Sequence, residues 1–226
     1  MSDGPSPLVI AHRGASAAAP QNTLAAFALA AQLGADWVEL DVRRTADGAL
    51  AIVHDEAYED GRPVATTMAA DRPTDVALLA AALEACGAMG VNVEIKPHPA
   101  PVMAEVVDRV AEACRAWGGE ALLSSFDEDL VALVRSTAPD LPTAQLTLAI
   151  PDPAATIAAA VAAGHVALHP WNPTVDEPLV AAAHAAGLLV NVWTVDDPDR
   201  MRQLAAWHVD GIVTNLPDLA LQTLPR

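Results

Sequence analysis

Short runs of Val, Ile and Leu alternate with Ala-rich stretches of helical period along the whole chain, the pattern of a parallel sheet wrapped by helices. Strands are expected at 8–11, 37–43, 50–53, 91–96, 121–126, 143–147, 165–169, 189–195 and 211–214, one more than an eightfold barrel uses. Asp47-Gly48 favours a tight hairpin turn, so 50–53 is expected to fold back antiparallel on the strand before it, leaving eight parallel strands. Asn22 or Thr23 can cap a first helix with Leu24, Phe27, Ala28 and Ala31 on its apolar face. Further helices are expected near 75–86, 101–116, 128–136, 153–162, 177–186, 198–206 and 217–224, several opening with proline and most presenting alanine inward. The stretch 56–74, with Gly61, Pro63 and Pro73, reads as a loop above the barrel. The fold class is α/β: one TIM (β/α)8 barrel domain over 1–226, with an extra antiparallel hairpin strand after the second strand.

Side chains at the carboxyl ends of barrel strands point at a common mouth, so polar residues there carry the candidate chemistry. In Val38-Glu39-Leu40-Asp41-Val42 the strand period of two puts both carboxylates on one face. Helices cover the outside of a barrel, so the apolar residues face outward and the acids face the axis. The strand at 91–96 repeats the arrangement with Glu94 and Lys96 inward. One explanation of Glu39, Asp41 and Glu94 is ion pairing with Arg43, Arg13 and Lys96. Three carboxylates on two strands favour a second, one divalent cation, and all-oxygen ligation selects Mg2+ or Ca2+. His12 closes the first strand and the hairpin returns His54 toward the acids. The two are expected to titrate near neutrality and to act as acid and base on a phosphate ester held by Arg13 and Lys96. Trp193 either walls the pocket or packs. Ser125-Phe126 and His169-Pro170-Trp171 read as structural, Asp196 and Asp197 as caps of the following helix, and His98, His165, His184 and His208 as solvated.

Composition adds limits. With 12 Lys+Arg against 29 Asp+Glu, the formal net charge of −17 argues against nucleic acid or anionic membranes as partners. A 53% hydrophobic content excludes disorder. Residues 1–7 show neither a basic nor a long apolar stretch, no run reaches a membrane span, and Cys86 and Cys114 read as small core residues, so a cytoplasmic protein without stable membrane association is expected.

His12-Arg13-Gly14, Asn22-Thr23-Leu24-Ala25-Ala26-Phe27, Val38-Glu39-Leu40-Asp41-Val42, Thr45 with Asp47-Gly48, His54-Asp55, Glu94-Ile95-Lys96-Pro97, Val192-Trp193-Thr194-Val195 and Asp210-Gly211-Ile212-Val213-Thr214-Asn215 together resemble the glycerophosphodiester phosphodiesterase family, in the family's order. The resemblance implies a metal-dependent hydrolase that converts glycerophosphodiesters to glycerol 3-phosphate and an alcohol, through attack by the glycerol 2-hydroxyl and a cyclic phosphate that water opens. By position, His12 and His54 would be the acid/base pair, Glu39, Asp41 and Glu94 the metal ligands, Arg13 and Lys96 the phosphate holders, and Trp193 a pocket wall. Gln21 stands where the family usually has glutamate, and the segment between Asp55 and Glu94 is shorter than the family's insertion. Alternatives are a non-catalytic phosphodiester or phosphopolyol binder, and a lysophospholipase D acting on lysophospholipid head groups; the latter would need an apolar or basic membrane-facing element.

Overall fold

The parallel sheet closes on itself. In the computed structural model, which describes residues 6–225, the strands are β1 (Leu8–His12), β2 (Trp37–Arg44), β3 (Leu50–Ile52), β4 (Gly90–Ile95), β5 (Ala121–Ser125), β6 (Thr143–Thr147), β7 (Ala167–Pro170), β8 (Leu189–Val192) and β9 (Gly211–Thr214). All but β3 pair in parallel around a ring that β1 and β2 complete. As expected, β3 lies antiparallel on the extension of β2, with Val42 opposite Ile52. The turn between them closes through Thr45 N to Ala49 O at 2.9 Å, with Gly48 at φ +85°.

Eight helices cover the barrel: α1 (Leu24–Leu33), α2 (Leu79–Ala85), α3 (Ala100–Trp117), α4 (Glu128–Thr137), α5 (Pro153–Ala162), α6 (Glu177–Ala185), α7 (Pro198–Ala206) and α8 (Pro217–Thr223). The outward rows of β2 and β4, Val38, Leu40, Val42, Val91, Val93 and Ile95, join the buried faces of α1 to α4 in one core. A second core joins β7 to β9 with α5 to α8. Inside the ring, Trp37, Leu122, Ala144 and Ala167 fill the floor. Gly90 makes room for the indole, since a Cβ there would stand 2.1 Å from it. Above this packed floor the cavity lies at the carboxyl end of the strands.

Four expectations need correction. The helix expected from 75 starts at Leu79, because Ala77 O accepts from Ile52 N at 2.9 Å and Leu78 bridges Ala51, holding the segment extended along β3. The buried face of α1 is Ala26, Phe27 and Ala30, while Leu24 is 41% exposed; Ala26 turns inward because it packs on the β1–α1 loop, where Ala15 N donates to Ala26 O at 3.0 Å. Alanine does not dominate the inner sides: α3 buries Val106, Val107 and Val110, and α4 buries Leu130, Val131 and Val134. Many alanines of α5 face solvent, where they supply helix propensity instead of close packing. The loop at 56–74 contains two single turns of 3-10 helix, Val64–Thr66 and Ala69–Asp71.

One stretch of wall is built differently. The outer face of β6 presents Thr143, Gln145 and Thr147, and between α4 and α5 a groove of about 810 Å3 runs over it, lined by Glu128, Gln145, Thr147 and alanines of α5. Cys86 and Cys114 are free, buried members of the first core, as read from sequence, and burial pushes both thiols up to about 12. Among the described residues no helix is long and apolar enough to cross a membrane. Most of the segment 1–7 lies outside the described residues.

Candidate active site

The β1–α1 loop is fastened onto the acids of β2. Arg13 (φ +56°), Gly14 (φ +82°) and Asn22 (φ +59°) all adopt the left-handed region, where glycine and asparagine sit readily and arginine is uncommon. Contacts hold the loop there. Arg13 N donates to Glu39 Oε2 at 3.0 Å, Asn22 N donates to Arg13 O at 3.0 Å, and Asn22 Nδ2 donates to Asp41 Oδ2 at 2.7 Å. Of the two residues proposed to cap α1, Thr23 takes that role, accepting from Ala26 N. Asn22 is free to orient an acid of the site, a task the sequence did not reveal.

Glu39, Asp41 and Glu94 face the axis as read from the strand period, and one oxygen of each lies within 4.8 Å of the others. Two ion pairs of the competing explanation also form, Asp41 with Arg13 and Glu94 with Lys96, while the third, Glu39 with Arg43, does not. Asp41 meets Arg13 Nε at 3.1 Å and Lys96 Nζ at 2.7 Å, and Lys96 also contacts Glu94. Arg43 instead donates to His54 O at 2.9 Å. Burial would raise the Asp41 carboxyl, but Lys96 and Arg13 outweigh it and hold it low. Glu39 is pushed well above the usual carboxylate range by burial and by the charges of Asp41 and Glu94. Its Oε1 is buried with no hydrogen-bond partner. Two cations thus do not neutralise three acids, and an orphaned carboxylate oxygen beside two more hard oxygens suits a divalent cation.

His12 reaches this cluster, and His54 lines the same cavity. His12 Nε2 stands 3.9 Å from Glu39 Oε2, while Nδ1 donates to Asn215 Oδ1 at 2.7 Å. The Asn215 amide is fixed in turn: Nδ2 donates to Asp196 Oδ2 at 2.6 Å, and the backbone N of Asn215 to Asp196 Oδ1 at 2.8 Å. Asp196 is therefore no helix cap; Asp197 is, accepting from Arg200 N at 2.7 Å. This line from Asp196 through Asn215 leaves Nε2 of His12 as the acceptor facing the cavity. His54 Nδ1 donates to Asp55 Oδ1 at 2.7 Å, again leaving Nε2 free. His12 is not poised at neutrality as expected. Burial and the Arg13 charge lower His12 to about 4, and burial lowers His54.

Other assignments change as well. His98 is not solvated: Nδ1 donates to Lys96 O at 2.5 Å and Nε2 accepts from Arg44 N at 3.0 Å, so it ties the end of β4 to β2. His165 is buried against Thr143. His169 is fully enclosed, accepts from Asn191 Nδ2 at 2.9 Å and is lowered to about 3 by burial. Trp193 lines the cavity, its Nε1 donating to His169 O at 2.8 Å. The cavity spans about 410 Å3, with His12, Arg13, Glu39, His54, Glu94 and Lys96 on one side and Phe126, Leu146 and Trp193 on the other. Gln21 Oε1 accepts from Arg13 at 2.8 Å, so the amide keeps the arginine contact.

A closed (β/α)8 barrel with acids, bases and fixed cations gathered at its mouth defines a TIM-barrel phosphodiesterase. The glycerophosphoryl diester phosphodiesterase family model matches residues 12–68 and 60–219, and the chain belongs to that family. It is 32% identical to probable glycerophosphodiester phosphodiesterase 2 of Mycobacterium tuberculosis, over 99% of this chain and 97% of the relative. It is 30% identical to the glycerophosphodiester phosphodiesterase of Caldanaerobacter subterraneus subsp. tengcongensis, over 97% and 98% of the two chains. Among solved structures, an Oleispira antarctica phosphodiesterase in complex with the product sn-glycerol-3-phosphate superposes with a TM-score of 0.90 at 27% identity, covering 96% of each chain.

Proposed function

We propose that this chain hydrolyses glycerophosphodiesters to glycerol 3-phosphate and an alcohol, with one divalent cation, Mg2+ or Ca2+, held by Glu39, Asp41 and Glu94. The observation that carries the reading is the convergence of three carboxylates, two histidines and two basic side chains on one cavity. A cation there would polarise a phosphate oxygen and lower the pKa of a hydroxyl bound beside it. Arg13 and Lys96 would share their charge between Asp41 and the phosphate, Arg13 as a fork and Lys96 as a point charge. His12 and His54 would divide the proton traffic, one taking a proton from the attacking hydroxyl and the other giving one to the leaving alkoxide. The glycerol 2-hydroxyl is the attacking group in this scheme, and water opens the resulting cyclic phosphate.

The test is glycerol 3-phosphate release from glycerophosphocholine and glycerophosphoethanolamine, with and without chelator and with Mg2+, Ca2+ or Mn2+ restored. Activity that chelation abolishes and one of these ions restores is expected; chelator-insensitive turnover would refute the carboxylate site. His12→Ala and His54→Ala are each expected to slow turnover by a factor of about 10²–10⁴. Near-normal turnover in either variant removes that residue from the mechanism. The non-catalytic alternative leaned on Gln21, and the retained Arg13 contact takes away that support.

A further inference from the structure

The inward rows divide the mouth of the barrel into two unlike halves. On β1, β2 and β4 they carry His12, Glu39, Asp41, Glu94 and Lys96. On β5 the row Leu122, Ser124 ends at Phe126, on β7 the row Ala167, His169 ends at Trp171, and on β8 Asn191 is followed by Trp193. The chain has five Trp, two Phe and one Tyr, and three of these aromatic residues end the rows of β5, β7 and β8, with the aliphatic row of β6, Ala144 and Leu146, between the first two; Phe126, Leu146 and Trp193 line the cavity, and Trp171 stands beside Trp193.

Their arrangement is a built one. Phe126 and Trp193 meet edge to face, with ring centroids 5.5 Å apart and planes at 81°, forming a corner. The indole of Trp193 is pinned by its bond to His169 O. Trp171 is the parallel bridge partner of Trp193, held by Trp171 N to Thr147 O at 2.9 Å and by Asn172 N to Trp193 O at 2.7 Å. Although its backbone is fixed, Trp171 is 41% exposed, so core packing does not account for an indole there. The sequence had assigned Phe126 and Trp171 structural roles.

A phosphodiester held by Arg13, Lys96 and a cation on the charged half must send one of its two arms toward the aromatic half. Aromatic faces bind cations best when those cations are weakly hydrated, which favours quaternary ammonium over a primary ammonium that keeps its water. A net charge of −17 adds a long-range pull on a positive arm.

We propose, on the hydrolase reading above, that Phe126, Trp171 and Trp193 form a head-group subsite that selects a trimethylammonium alcohol over primary-amine and neutral alcohols. The test compares kcat/KM for glycerophosphocholine, glycerophosphoethanolamine and glycerophosphoglycerol in the wild type, Trp171→Leu and Phe126→Leu. The wild type is expected to prefer the choline diester about tenfold, and each variant to reduce that preference to about two- or threefold. Equal kcat/KM for all three diesters, unchanged in the variants, would overturn the subsite and leave the hydrolase reading intact. A preference for lysophosphatidylcholine over glycerophosphocholine that both variants abolish would overturn it in favour of an acyl-binding wall. If none of the diesters is turned over, the hydrolase reading fails, and tryptophan-fluorescence titration with the same three compounds decides the subsite: tighter binding of the choline diester supports it and equal binding overturns it.

Discussion

At the scale of single residues, the site depends on side chains that touch no substrate. Asn215 is the clearest case, because its amide oxygen accepts from His12 while Asp196 anchors its other end. Asn215→Ala should free the His12 ring to rotate and change tautomer, lowering kcat by roughly 10- to 100-fold while KM moves by less than about threefold. Steady-state kinetics on one diester checks this, and a pure KM effect would reassign Asn215 to substrate binding. Sequence reading found the acids, the histidines and the cations because each ends or punctuates a strand whose period is visible. It missed Asn22 and Asn215, whose roles depend on Asp41 and Asp196, each 19 positions away across a βαβ unit, and, for Asn215, on His12 at the other end of the chain, brought close only when the ring closes. It also misjudged three histidines, since burial and the Arg13 charge lower His12, and His98 and His165, read as solvated, are held by Lys96, Arg44 and Thr143.

Among the elements, the β1–α1 loop links helix packing to the site. At Gly14 the backbone is at φ +82°, and a Cβ would lie 2.6 Å from the backbone of Ala26 in α1. Gly14→Ala is therefore expected to destabilise the fold by about 2 kcal/mol and to shift Asn22 off Asp41. Thermal unfolding together with turnover checks this; a fully stable, fully active variant would show that the loop tolerates repacking. The β2–β3 hairpin was legible because Asp47-Gly48 has few other uses between two apolar runs. The start of α2 was not, because the extended course of 75–78 is imposed by pairing with β3 and not by its own residues. The helix faces were misread for a related reason. In an alanine-rich chain several faces look equally apolar, and the position of a neighbouring loop decides which one turns inward.

For the whole molecule, pH sensitivity follows from the enclosed histidines. His169 is held neutral in the fold, with its pKa lowered to about 3 by burial, whereas an unfolded chain binds that proton near pH 6.5. Its contribution to stability is complete above about pH 6.5 and is lost as the pH falls toward 3, amounting to about 2–3 kcal/mol by pH 4.5. Denaturation at pH 7 and 4.5 should show the wild type losing more stability than His169→Gln by about that amount, and parallel losses would mean that His169 takes up its proton without unfolding. The groove between α4 and α5 has a different consequence. Where the outer face of β6 is threonine and glutamine under a helix of exposed alanines, less apolar surface is lost when the ring parts than anywhere β2 and β4 meet α1 to α3. The barrel thus carries a seam. Amide protons of β6 should exchange with solvent sooner than those of β2 and β4, and the first protease nicks under mild denaturant should fall on its flanks, so the molecule would open as a ring unclasped at one link.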